Sequence, residues 1–237
     1  MQTSNFIGEL MGTLVLILLG NGVVANVLLK GTKGENGGLI VITAGWAFAV
    51  MCGVFVAQKF GSAAGHLNPA VTIAMAVKSG DYSNVLPFIS AQMIGAFLGA
   101  CLVWLVYLPH WGITEDKGAK LAVFSTAPAI RNTTANIIAE AVGTMVLVIA
   151  SSSFYSNPDS GFGPYLVGML VWAIGLSLGG PTGYAINPAR DLGPRIAHAI
   201  LPISGKGSND WGYSWIPVVG PIVGGILAAL FLNFFSI

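Results

Sequence analysis

The chain has 237 residues, of which 54% are hydrophobic and only 8% charged, with a mean hydropathy of +0.78 and a formal net charge of +1. A soluble domain carries about 25% charged residues, and 10 basic plus 9 acidic side chains cannot clothe a water-facing surface of this size. The balance excludes a nucleic-acid-binding protein, which needs a basic face, and makes the bilayer the solvent for much of the surface.

The first apolar run covers 6–28. Residues 1–5 hold no Lys or Arg, Glu9 interrupts the run, and no small-residue cleavage site follows it. It therefore reads as a retained membrane helix, not a signal peptide. Further runs at 38–58, 84–108, 134–154, 162–180 and 213–235 bring the predicted spans to six, each near the roughly 20 residues that cross a bilayer. Gly95 and Gly99 in the third run form a small-xxx-small pair that predicts close helix packing. Cys52 and Cys101 lie in apolar runs and read as buried thiols, not as a disulfide or metal pair.

Two apolar stretches, 69–79 and 188–201, are too short to cross, and both begin at the same tripeptide: Asn68-Pro69-Ala70 and Asn187-Pro188-Ala189. The halves repeat. Gly8-Glu9 with Gly12-Thr13 opens the first run, and Ala139-Glu140 with Gly143-Thr144 lies in the fourth. Each half has three spans and one short helix. Because three is odd, the second half enters the membrane in the opposite sense, which is an inverted repeat with a site at the midplane. The expectation is a single all-α transmembrane domain over 1–237, with repeat 1 over about 1–110 and repeat 2 over about 131–237.

Asn is a favoured N-cap, and Pro at the first helical position loses no hydrogen bond. Asn-Pro-Ala is thus a helix start. Two such half-helices entering from opposite faces meet N-terminus to N-terminus, each end carrying roughly half a positive charge. Their Asn amides can donate into a lumen, and the paired dipole ends oppose cations and reorient water against proton hopping. The Gly-containing stretches 59–67 and 179–186 would descend into the membrane and offer a ladder of carbonyls on one wall, opposite an apolar wall.

Glu9 and Glu140 are costly within a span. They are either an ion relay or acceptors for the backbone of each re-entrant loop. Their symmetric placement without a basic partner favours the second. Arg190 stands near a helix N-terminus, where its charge is unfavourable, which points to a role at a pore mouth. Asp191 beside it is favourable there and can offset the local field. His66 precedes Asn68 by two residues, is placed in the inner vestibule and is a candidate pH gate. His66, His110 and His198 are scattered, so no metal site and no cofactor is expected. No nucleophile–base pair marks an enzyme. A secondary active transporter also fits inverted repeats, but would place a coupling carboxylate where Asn68 and Asn187 stand.

Over essentially the whole chain this pattern resembles the major intrinsic proteins, and specifically their aquaglyceroporin branch of bacterial type. The resemblance implies six tilted helices plus two half-helices, a homotetramer with one pore per subunit, a plasma (inner) membrane location with cytoplasmic termini, and passage of small uncharged solutes. Asp191 after the Arg, Tyr107, Arg195 and Pro217-Val218 fall on the glycerol side of the family. The family's constriction maps onto Trp46, Gly175, Tyr184 and Arg190, with Gly175 expected to open one quadrant. Tyr184 departs from the Phe common in glycerol facilitators. In the implied orientation the inward loops hold only Lys59 and Lys78, while Lys30, Lys33, Lys117, Lys120 and Lys206 fall outside, against the positive-inside rule.

Overall fold

A computed structural model describes residues 4–154 and 161–236; residues 1–3, 155–160 and 237 of the expected domain lie outside the described residues. Ten helices are described. The first half holds α1 (Asn5–Leu28), α2 (Gly38–Lys59), α3 (Pro69–Ser79) and α4 (Val85–Val106), and the second holds α7 (Thr133–Phe154), α8 (Gly163–Leu178), α9 (Pro188–Ile200) and α10 (Ile216–Phe234). Between them lie α5 (Leu108–Ile113) and α6 (Lys117–Phe124), which the apolar runs did not signal because both are short.

Among the described residues five helices are long and apolar enough to cross a bilayer; α8, at 16 residues, is shorter than the expected 162–180 run and spans about 24 Å. The helices α3 and α9, of 11 and 13 residues, reach about 16 and 20 Å, roughly half of the hydrocarbon thickness. Each starts as the sequence dictates. Asn68 Oδ1 accepts from the Ala70 amide at 2.9 Å, and Asn187 Oδ1 accepts from the amides of Ala189 and Arg190 at 3.0 and 3.2 Å.

The packing repeats with the sequence. In one half α1 lies against α2 and α4, and in the other α7 lies against α8 and α10. The short helices are exchanged: α3 packs on α10, α9 packs on α4, and the two meet each other. Glycines allow the close approaches. A Cβ on Gly95 would sit 2.3 Å from the Leu10 carbonyl oxygen, and one on Gly224 would sit 2.1 Å from that of Ala141. The expected Gly95–Gly99 packing face therefore meets α1. Outward, large apolar side chains such as Ile40, Leu86, Val106 and Phe234 are exposed, as befits a surface not solvated by water. Cys52 and Cys101 are free and half-buried, less enclosed than expected.

Candidate functional site

The two re-entrant loops are tied down by the carboxylates expected to do so. Glu9 accepts from the Ser62 hydroxyl at 2.7 Å, the amides of His66 and Leu67 at 2.8 and 2.7 Å, and Gln92 Nε2 at 2.8 Å. Glu140 accepts from the amides of Ala185 and Ile186 at 3.0 and 2.7 Å. Both carboxylates are fully buried and face the loops rather than the cavity. A carboxylate buried without a basic partner needs this many donors to offset its lost hydration.

The residue before each Asn is left-handed: Leu67 has φ 51° and Ile186 has φ 42°. A β-branched residue such as Ile rarely adopts this conformation, at a cost of about 1–3 kcal/mol. Hydrogen bonds at both ends of the residue hold it there. The Leu67 amide is bound by Glu9, while its carbonyl accepts from Asn187 Nδ2 at 2.8 Å. The Ile186 amide is bound by Glu140, while its carbonyl accepts from Asn68 Nδ2 at 2.8 Å. Each asparagine thus caps its own half-helix and grips the opposite loop. Each of these innermost carbonyls spends one of its two lone pairs on the opposite asparagine. Each Nδ2 keeps a second hydrogen for the lumen.

A cavity of about 500 Å³ runs past this junction. Asn68, Asn187 and residues 63–67 and 184–186 border it, and Leu16, Val50, Val54, Leu147, Val167 and Val171 supply apolar wall. Along α3 the spacing Asn68, Val71, Met75, Lys78 turns one face to the cavity, with Lys78 about 15 Å along the helix from Asn68. His66 borders the cavity as expected, together with Ser151 and Ser152.

Arg190, Trp46 and Tyr184 also border it. The Arg190 guanidinium lies 4.1 Å from the centroid of the Trp46 ring, a cation–π contact, and its Nη1 makes no protein hydrogen bond. Gly20 makes the Trp46 position possible, since a Cβ there would fall 2.2 Å from the indole. Gly175 corrects an expectation. It does not border the cavity, and its vacant Cβ position lies 2.8 Å from Tyr184 Cζ, 3.0 Å from the Tyr184 hydroxyl and 2.9 Å from Thr43 Cγ2. The quadrant that Gly175 vacates is filled by the tyrosine ring, which also lies over Gly179.

Asp191 stands in the first turn of α9 as expected, is fully buried away from the cavity, and pairs with Arg195, whose Nε and Nη2 donate to it at 2.9 and 3.1 Å. It further accepts from the Thr126 amide and hydroxyl, both at 2.7 Å, while Arg195 donates to the carbonyls of Thr126 and Asn209. The pair fastens two loops onto α9. Lys206 Nζ closes the other end of α9, donating to the carbonyls of His198, Ala199 and Leu201 at 2.7, 2.8 and 2.7 Å. Lys120 is buried and bonded to the Ser204 carbonyl. Lys30 pairs with Glu35, whose carboxyl is held below its usual range by the Gly31 amide and by Lys30. Three of the five lysines counted as outer loop charges are thus engaged structurally. Sequence reasoning missed Gln92 and Thr72, described below. A lone Gln in the apolar third run was the available signal.

Apolar spans closed around a mainly apolar cavity that carries a few convergent amides, with two capped helix starts meeting beside it, define a multi-pass membrane channel rather than an enzyme. The chain belongs to the major intrinsic protein family: the model described as "Major intrinsic protein" matches residues 2–232. It is 56% identical over 232 residues to a probable glycerol uptake facilitator protein of Thermotoga maritima, covering 97% of this chain and 98% of the relative. It is 55% identical over 230 residues to the glycerol uptake facilitator protein of Streptococcus pneumoniae strain R6, covering 96% and 97%. The X-ray structure of the aquaglyceroporin from Plasmodium falciparum superposes with a TM-score of 0.80 at 30% identity, covering 97% of this chain and 94% of that one.

Proposed function

We propose that this chain is a passive facilitator of glycerol and other small uncharged solutes, water, dihydroxyacetone, urea and undissociated lactic acid among them, and that it excludes protons and ions. The observation that carries the reading is the crossed pair of asparagines on a lumen whose remaining wall is mainly apolar. A polyol presents hydroxyls along one edge and CH groups along the other, and such a wall fits both. Trp46, Tyr184 and Arg190 form the constriction: the indole and phenol rings pack on CH groups, and the guanidinium of Arg190, which borders the lumen, donates to hydroxyls. Gly175 contributes by letting the Tyr184 ring lie back. Arg190 and the two helix dipoles repel cations.

The assembly is a homotetramer in the plasma (inner) membrane with cytoplasmic termini, a reading supported by the family and by the apolar outer surface. Stopped-flow light scattering on proteoliposomes tests the transport: glycerol shrink–swell rates should exceed those of empty vesicles with no ion gradient. Glycerol flux that required a proton or sodium gradient would instead make the protein a secondary transporter.

A further inference from the structure

A chain of polar side chains leads from the buried carboxylate of Glu9 to the cavity wall. Gln92, wholly buried in α4, donates from Nε2 to Glu9 Oε2 at 2.8 Å and to Thr72 Oγ1 at 3.0 Å. Its orientation is fixed, because an amide oxygen turned toward Glu9 would face a carboxylate and leave two acceptors in contact. Both Nε2 hydrogens are therefore used. Thr72 Oγ1 accepts from Gln92 and has one proton of its own. His66 Nδ1 lies 3.1 Å from that oxygen. A neutral imidazole that accepts at Nδ1 carries its proton on Nε2.

Nε2 stands at the far corner of the ring. His66 borders the cavity. Phe88 meets the ring edge-on at 5.2 Å and restricts its swing on that side.

From this geometry we infer that His66 is a specificity-determining residue locked as its Nε2–H tautomer, presenting a fixed hydrogen-bond donor to solute hydroxyl oxygens beyond the asparagine pair. Gln92 and Thr72 are positioning residues that act through it. The inference rests on the channel reading of the cavity. It extends the row of donors facing a solute from Arg190 through Asn187 and Asn68 to His66. A hydroxyl oxygen leaving one donor finds the next, and each of these groups offers a donor where proton relay through water would need an acceptor.

The lock is tested by solid-state NMR of protein in lipid with 15N-labelled histidine, since protonated and bare ring nitrogens resonate far apart. The His66→Gln spectrum assigns the His66 signals among the three histidines. Wild-type protein at neutral pH is expected to show Nε2 protonated and Nδ1 bare. Thr72→Val removes the donor to Nδ1, so both tautomers should appear, and glycerol permeability should fall roughly two- to ten-fold, the weight of one hydrogen bond. Thr72→Ser keeps the hydroxyl and should restore both the single tautomer and the flux. A protonated Nδ1 in the wild type, or a Thr72→Val protein with unchanged tautomer and flux, would overturn the inference. A wild type with no glycerol flux would overturn the channel reading instead and leave the tautomer measurement standing.

Discussion

Adding one methyl group at Gly175 should narrow the channel without touching its wall. A Cβ there would lie 2.8 Å from Tyr184 Cζ and 2.9 Å from Thr43 Cγ2. Ordinary carbon contacts begin at about 3.5 Å, so the ring must move by roughly 0.7 Å. Thr43 is buried and its hydroxyl is bonded to the carbonyls of Leu39 and Ile40, so it yields little. The tyrosine hydroxyl has no protein partner, so the ring yields toward the lumen that it borders. Overpacking of this kind costs about 1–3 kcal/mol. If about 1.4 kcal/mol of it appears in the glycerol barrier, glycerol permeability falls about tenfold. Water needs less width and should change by no more than about twofold on the same scale. The assay is paired glycerol and water stopped-flow on Gly175→Ala proteoliposomes at equal protein density. The double variant Gly175→Ala/Tyr184→Leu, which removes the obstructing ring, should recover glycerol flux. An unchanged glycerol-to-water ratio in Gly175→Ala would refute the placement of Tyr184 in the constriction.

Glu140→Gln exchanges an acceptor of two loop amides for a side chain with one oxygen and a clashing NH2, so it should destabilise the fold by about 2–3 kcal/mol, read as a lower thermal midpoint in detergent. Arg195→Met leaves Asp191 buried and unpaired and should cost about 3–5 kcal/mol in the same assay, while the double change Asp191→Leu/Arg195→Met should be milder than the sum of the single changes. Lys78→Cys, in a background with Cys52 and Cys101 replaced by Ala, should let a membrane-impermeant thiol reagent block glycerol flux from the cytoplasmic side; block from the outer side would reverse the proposed orientation. Neutralising Arg190 as Arg190→Ala removes the cation over Trp46, and planar-bilayer recording should then detect cation leak that the wild type lacks.

Much of this architecture is local and therefore legible in the sequence. The caps at Asn68 and Asn187 act over two or three residues, and Pro69 and Pro188 need only their own fixed φ, so both half-helices begin where the tripeptides say. The apolar runs locate the spans because length and hydropathy are properties of the segment itself, with α8 trimmed at its ends. The pairing of Glu9 and Glu140 across the repeat was enough to read them as loop anchors.

Tertiary structure decided what joins distant residues. Asn68 reaches Ile186 and Asn187 reaches Leu67 across 118 and 120 positions, a crossing that no spacing encodes and that only the exchange of α3 and α9 between halves creates. The left-handed turns at Leu67 and Ile186 run against their intrinsic preference, and bonds at both ends of the residue hold them. The ring of Tyr184 fills the gap at Gly175 because of how that loop packs on α8, whereas composition alone leaves a glycine looking like open space. Asp191 and Arg190 are neighbours in sequence, yet a helix turns successive side chains by about 100°, so one faces the lumen and the other a buried arginine four residues on.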